Sequence, residues 1–563
     1  MSKSPNSALH SAPKSARKST AVKGLSLDIP SGKRTPLYRF LEILPGLISY
    51  GAIILLFILS WVDPVLGAIY LFILITSTLV KAVGTAYRTI QGYEVMKRAN
   101  RVDWHRRVAD LESPHDAYER VVDDNNKSYH FAEHVENLRL MAAMPGDYPK
   151  PSKIYHAIIV TMYDEAYEVL DPTIAAIEKA TFASDHIVVF LAYEARGGAD
   201  TAATAEQLKK KYAHTFKDFV LVCHPDGLKG EIVGKGPNLT YAGHFAADYF
   251  EKKHIPFENV IVTTLDSDNH MASKYLDSVT YEFITHTNRE HLSYQPVSLF
   301  MNNIWDAPAP TRVIALSNSF FNVISTMRPH LLRNFASHSQ PLAALHAMDY
   351  WSKRTIVEDG HQYWRSLFFF KGDYSVLPIR IPIYQDAVVG ETFLATVKAQ
   401  FVQVRRWYYG ASDVAYVGSR LFVRKSRRPV PFWQLLPKFW RLLDGHVTLA
   451  ILAPIVAFGG WVPMIMNMSA HSMVAYNLPN IVSLVETFAL IGLLVSIIVS
   501  FKMLPPRPAK YRKGKAIFML LQWALMPVTS ILYQSLAAFY AQTRLMLGKY
   551  MEKFDVTKKV VKK

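Results

Sequence analysis

The chain has 563 residues, half of them hydrophobic, with 63 Lys plus Arg against 46 Asp plus Glu, a formal net charge of +17. That length exceeds one ordinary domain, and that hydrophobic share is high for a soluble protein. A single cysteine, Cys223, excludes an intrachain disulfide. The basic clusters follow apolar runs rather than an aromatic-studded groove, which argues for a membrane surface or a phosphorylated substrate and against nucleic acid.

In chain order, residues 1–40 are rich in Ser, Lys, Arg and Pro without apolar periodicity, and are expected to be a disordered basic tail rather than a signal peptide. Residues 41–94 hold two apolar runs, Leu44–Val62 and Pro64–Ala86, each long enough to span a bilayer, with Asp63 and Pro64 as a tight turn between them. Two more runs, Val447–Asn467 and Ile481–Phe501, predict spans three and four within residues 431–504, preceded by an aromatic, basic interface helix at Pro431–Trp440. The tail, "YRTIQGYEVMKRANR", "VRKSRRPVPF" and "FKMLPPRPAKYRKGK" put positive charge on one side each time, which makes that side cytoplasmic. Glu486 lies in the fourth run, facing a polar path, a neighbouring helix or water at the rim. Residues 505–563 contain an apolar stretch broken by Pro527, read as a kinked interfacial helix or a re-entrant hairpin.

Residues 95–430 then form a cytoplasmic domain. "YHAIIVTM", "DHIVVFLAY", "DFVLVCH" and "NVIVTTLD" read as strands, separated by helical patterns such as "ADTAATAEQLKKKYAHTF" and "NLTYAGHFAADYFEKK". This alternation predicts an α/β domain with a mostly parallel sheet covered by helices on both faces. Ligands of such sheets sit beyond the carboxyl ends of the strands. Asp266 and Asp268 stand at such an end, where two carboxylates either hold a divalent cation or form a turn. Glu358–Asp359 in "TIVEDGHQYWR" and Gln403–Trp407 in "QVRRWYYG" follow.

The order Asp-x-Asp, Glu-Asp, Gln-x-x-Arg-Trp, in a domain flanked by apolar spans, resembles the family-2 glycosyltransferases, and among them the processive membrane synthases of cellulose, chitin and hyaluronan. "KFDVTKK" is similar to the F-x-V-T-x-K gating loop of the cellulose synthases, with Phe554, Val556, Thr557 and Lys559 at the matching positions. The resemblance implies a GT-A-like, nucleotide-binding mixed sheet inserted between pairs of transmembrane helices. It implies inverting transfer of a sugar from a nucleotide sugar, by default a UDP-sugar, to a polysaccharide or lipid acceptor. It also implies Mg²⁺ or Mn²⁺ on Asp268 and Asp266, Asp359 as base with Glu358 beside it, and Trp407 and Gln403 at the acceptor. Arg405, Arg406, Lys235, Asn238 and Asp266 would bind the donor.

The chain departs from that pattern after the second strand. The family places an Asp there; "LAYEARGG" offers only Glu194, which leaves the base of the nucleotide open between uracil, guanine and others. "TMYDEAYEV" puts Asp164 where the family has Asn before a Glu. The expected protein is thus a multi-pass enzyme of the plasma (inner) membrane, in contact with lipids, acting with or without a partner subunit or a second copy. The alternatives are a non-processive enzyme acting on a lipid, and a transporter or scaffold with an inactive domain.

Overall fold

The computed structural model describes residues 26–467 and 473–554, apart from some side chains in the helices Pro64–Arg101 and Met473–Met503. The chain divides into two compact units. The first comprises Met1–Ile29, Val102–Gln295 and Arg333–Ile379, and the second Pro30–Arg101, Pro296–Leu332 and Arg380–Lys563.

The sheet has eight strands: β1 (Tyr155–Met162), β2 (Ile187–Glu194), β3 (Asp218–His224), β4 (Val260–Leu265), β5 (His270–Met271), β6 (Leu292–Leu299), β7 (Ser339–Pro341) and β8 (Ser375–Tyr384). Their order is β3-β2-β1-β4-β7-β6-β8-β5. The first four run parallel, with His156 opposite Ile187, Val188 opposite Asp218 and Tyr155 opposite Val260. All four strands expected from the sequence are these. The sheet is mixed rather than mostly parallel, because the short β7 pairs antiparallel with both β4 and β6.

β1 and β4 are buried almost end to end, as central parallel strands covered on both faces must be. The Lys235–Lys252 helix packs on one face, setting Leu239, Ala242, Ala246 and Phe250 against Ile159, Phe190 and Val222. Small residues let it lie close. A methyl group on Gly243 would collide with the Tyr350 ring, and one on Gly236 with the Ser352 carbonyl.

The second unit is helical. Thr35 caps Pro36–Val62 by accepting from the Tyr38 N–H (3.2 Å), with Pro36 in the first turn. Asp63 then donates its N–H to the Leu59 carbonyl (3.0 Å) and accepts from the Val65 N–H (2.7 Å), closing one helix and opening the next at the expected turn. Among the described residues three helices are long and apolar enough to cross a membrane: Pro36–Val62, Phe432–Met466 and Lys515–Met546. The backbone is also helical over Pro64–Arg101 and Met473–Met503, which contain the second and fourth expected spans.

Four boundaries differ from expectation. Residues 26–40 are not structureless: Ile29 is buried and a helix begins at Pro36. The interface helix is not separate, since Pro431 precedes one helix that runs from Phe432 to Phe458. Pro437 falls in its second turn, where it cannot donate the usual i→i−4 bond, and Trp433 and Trp440 remain exposed. No re-entrant hairpin forms within Lys515–Met546. The helical run continues past Pro527 by tightening to 3₁₀ geometry at Gln522–Leu525 and widening to π geometry at Ser530–Ser535. Finally, residues 95–430 do not form one unit. Ala309–Thr326 packs on Pro64–Arg101, with Val323 against Gly92 and a core of Met96, Phe320 and Trp523.

Phe250→Ala removes a fully buried ring between its helix and β1–β2 and is expected to cost about 3–5 kcal/mol. Thermal unfolding of the purified protein, followed by a probe of the first unit, checks this.

Candidate functional site

β4 delivers its carboxyl end directly into Asp266–Asn269. Asn269 closes the turn with its N–H on the Asp266 carbonyl (3.1 Å). In the amide orientation that satisfies both neighbours, it donates to Asp268 Oδ1 (3.0 Å) and accepts the Asp266 N–H (3.2 Å). Ser267 is held from both sides: its carbonyl accepts from Thr173 Oγ1 (2.7 Å) and its hydroxyl donates to Glu165 Oε1 (3.1 Å). Glu165 also accepts the Tyr163 N–H (2.7 Å), so the segment after β1 braces the turn after β4. Asp268 is buried and Asp266 is one-third exposed.

Lys235, the first residue of its helix, points its ammonium into this turn. Nζ lies 2.8 Å from Asp266 Oδ1, 3.1 Å from Asp359 Oδ2 and 3.8 Å from Glu358 Oε1. Burial alone would lower the pKa of this lysine, but the carboxylates of Asp266, Asp359 and Glu358 outweigh it and raise the value above the ordinary one. Three sequence motifs thus meet at one cation: the helix start at Lys235, the turn after β4, and the first turn of the Glu358–Phe369 helix. Asp359 keeps partial exposure, while Glu358 is buried. His338 lies behind them, fully buried, donating from Nδ1 to the Phe335 carbonyl (2.9 Å) and accepting from Trp351 Nε1 (3.4 Å) at Nε2. Burial lowers its pKa, against an opposing pull from Asp359, and the imidazole is neutral.

Asn238, one turn further on, donates to the Ala192 carbonyl (2.8 Å) and ties the helix to the end of β2. Two residues beyond that carbonyl, Glu194 forms a fork with Arg196, Nε to Oε2 at 2.5 Å and Nη2 to Oε1 at 3.1 Å. The Arg196 guanidinium also lies over the Tyr163 ring, 3.7 Å from its centroid. These two side chains, with His224, Asp226, Leu228 and Glu231, line a small open cleft beyond the ends of β2 and β3. Arg196 and His338 escaped the sequence reading. The proximity of Arg196 to Glu194 was the available signal for the first; no local pattern marks the second.

The second unit holds the other residues as a group of their own. Gln403, Arg405, Arg406 and Trp407 lie on Phe393–Tyr408, capped by Thr392, which accepts the Ala395 N–H (3.1 Å). Trp407 packs beside Val404, Ile314, Tyr533 and Ala537, with the Phe300 ring 6.0 Å away. Gln403 Oε1 accepts from Gln400 (3.1 Å), and Arg405 lies over the Tyr540 ring at 5.3 Å. The Arg406 guanidinium stacks on Phe554, 3.7 Å from its ring centroid. The chain before Phe554 is anchored by Met551 N–H on the Tyr409 hydroxyl (3.1 Å) and by the Tyr550 hydroxyl on Glu42 Oε2 (2.8 Å). Val556, Thr557 and Lys559 lie outside the described residues, as does the side chain of Glu486.

Among the described residues, no group of three or more His, Cys, Asp or Glu side chains is arranged to hold a metal. Asp266 and Asp268 supply hard oxygen atoms. Such atoms suit an ion that keeps most of its coordination for phosphate and water, as Mg²⁺ does, so the donor set fits an ion shared with a phosphorylated ligand.

No protein-family model and no curated protein matches the chain. Solved structures similar to it include a mannosyltransferase, PcManGT, from Pyrobaculum calidifontis in complex with GDP-Man and Mn2+. That likeness has 14% identity and a TM-score of 0.39, and covers 74% of this chain and 99% of that one. Another is S. aureus TarS 1-349 in complex with UDP, at 13% identity and a TM-score of 0.31, covering 64% of this chain and 95% of that one. The same S. aureus protein in complex with UDP-GlcNAc gives 14% identity and a TM-score of 0.29, covering 58% of this chain and 92% of that one. TM-scores below 0.5 assign neither substrate nor reaction to this chain.

Lys235→Met removes the cation from a buried site that retains three carboxylates. It is expected to destabilise the first unit by about 3–5 kcal/mol at neutral pH. Because the folded pKa of Lys235 is raised, its contribution is fully present below the unfolded lysine value of about 10.4 and is lost only as pH climbs above it. Wild-type stability therefore gains no pH dependence from Lys235 near neutrality. The variant should recover stability as pH falls through the carboxylate range, which melting curves at several pH values would reveal.

Proposed function

We propose that the chain is a membrane glycosyltransferase of the family-2 type, acting on a nucleotide sugar at the cytoplasmic face. The observation that carries this reading is the convergence of Asp266, Glu358 and Asp359 on Lys235 beyond the carboxyl end of β4. The resemblance in motif order assigns the same carboxylates to one site. The cleft beside Glu194, two strands over, adjoins β2 and β3, where a nucleotide base would lie in a sheet of this kind.

The chemistry asked of the residues is an in-line displacement with inversion. Asp359 accepts the proton of an acceptor hydroxyl; the oxygen forms a bond to the anomeric carbon; the bond to the nucleoside diphosphate breaks, and its electron pair leaves with the phosphate. Lys235 holds Asp359 and Asp266 in place and sets positive charge beside the leaving group. A divalent ion on Asp268 and Asp266 would stabilise the charge that develops on the diphosphate. Arg405 and Arg406 suit phosphate oxygens, and the face of Trp407 suits a sugar ring. Lys235 and Asn238 are assigned to the donor, with Glu194 at its base, and Gln403 to the acceptor.

A growing polysaccharide is the favoured acceptor, with export along the apolar helices. The Phe554–Arg406 stack supports a C-terminal segment that docks on the Gln-x-x-Arg-Trp helix, as a gating loop does. A membrane lipid is the second acceptor.

The test uses purified protein in lipid vesicles with Mg²⁺ or Mn²⁺ and a panel of UDP- and GDP-sugars, following nucleoside diphosphate release and product length. One donor should be consumed, and Asp359→Asn should reduce release by about 10²–10⁴-fold. Absence of release with every donor would sink the reading.

A further inference from the structure

Residues Leu27–Ile29 belong to the first unit although they are more than three hundred residues from the segment they touch. Asp28 Oδ1 accepts two hydrogen bonds, from Ser352 Oγ (2.7 Å) and from Arg365 Nη1 (3.0 Å). Arg365 Nη1 also donates to the Leu27 carbonyl (3.1 Å), and Arg354 Nη1 to the Ile29 carbonyl (3.4 Å). Ile29 is buried.

The partners of this segment all flank Glu358 and Asp359. Arg365 lies on the helix whose first turn carries those two carboxylates. Its other terminal nitrogen donates to the carbonyls of Met348 (3.0 Å), Asp349 (3.4 Å) and Tyr350 (3.2 Å). Asp349 and Tyr350 have φ of 58° and 54°, two consecutive non-glycine residues in the left-handed region. Such a turn persists only where its surroundings over-determine it. One buried guanidinium, gathering three carbonyls, does so here, and a buried cation of this kind needs a compensating charge. Asp28, only about a quarter exposed, pairs with it at 3.0 Å. Ser352, the other partner of Asp28, has its carbonyl against Gly236, next to Lys235.

We propose that Leu27–Ile29 is an intramolecular clasp and that Asp28 is a positioning residue. By neutralising Arg365 and holding Ser352, it fixes the 348–357 loop and so the placement of Glu358 and Asp359 against Lys235. The positioning role rests on the proposed function; the clasp itself does not.

The experiment compares full-length wild type, Asp28→Ala and Ser352→Ala by hydrogen–deuterium exchange and, with the active donor, by steady-state kinetics. Asp28→Ala should speed exchange in residues 348–359 by about tenfold while β1–β3 exchange as before, and should lower kcat by about tenfold with the donor KM unchanged. Ser352→Ala, which removes one of the two bonds, should give a smaller shift in the same segment and keeps the test open should Asp28→Ala fold poorly. Exchange in 348–359 equal to wild type in both variants overturns the clasp, whether or not any sugar is transferred. Faster exchange with unchanged kcat overturns the positioning role, and faster exchange spread over β1–β3 reduces Asp28 to a general stabilising contact. If wild type consumes no donor, the proposed function falls, and exchange alone decides the clasp.

Discussion

A lysine ammonium buried among three carboxylates is costly to build, and much of the first unit serves that arrangement. Desolvation penalises each charge, so the group is stable only if every partner is brought within a few ångströms and held there. The partners come from different elements: Asp266 from the turn after β4, Glu358 and Asp359 from a helix start, Lys235 from another helix start. Each is braced from behind. Glu165 and Thr173 fix the turn after β4 through Ser267, and Asn238 fixes the lysine helix to β2. The absent side chain of Gly236 lets that helix reach the Ser352 carbonyl.

The same lysine shapes the chemistry. A helix N-terminus is already electropositive, and adding an ammonium there is unfavourable unless anions surround it. The result is a net negative cluster, one ammonium among three carboxylates, of which Asp266 and Asp359 stay partly exposed. The excess negative charge at that opening favours the approach of a cation.

Much of this is legible in the sequence and some is not. The four parallel strands stand out because a strand buried on both faces must be apolar throughout, as "YHAIIVTM" is. The carboxylates stand out through their order along the chain, Asp-x-Asp, then Glu-Asp, then Gln-x-x-Arg-Trp, since acidic residues at a turn or a helix start are common by themselves. The direction of Lys235 does not: its partner Asp359 is 124 residues away, and no periodicity encodes that distance. Arg365 reads as an ordinary surface charge on an amphipathic helix, though it lies buried beneath a left-handed turn. The division of residues 95–430 between two units was also hidden. The Ala309–Thr326 helix is no more apolar than many soluble helices, and only its packing on Pro64–Arg101 reveals its allegiance.

The C-terminal helix ends in a Schellman turn: Gly548 has φ 68°, and Lys549 N–H bonds the Arg544 carbonyl (2.9 Å). Its last carbonyls are capped by Arg39, with Leu545 O at 2.6 Å and Met546 O also bound, while Tyr550 reaches Glu42. The caps and the helix they close are separated by about five hundred residues of synthesis. The first apolar helix therefore enters its surroundings with polar groups whose final partners have not yet been made. During biosynthesis Arg39 and Glu42 can pair only with each other and with near neighbours such as Arg34. That closure waits until residues 545–550 have been made, so the packing of the Pro36–Val62 helix depends on contacts of very long sequence separation, which form late and slow folding.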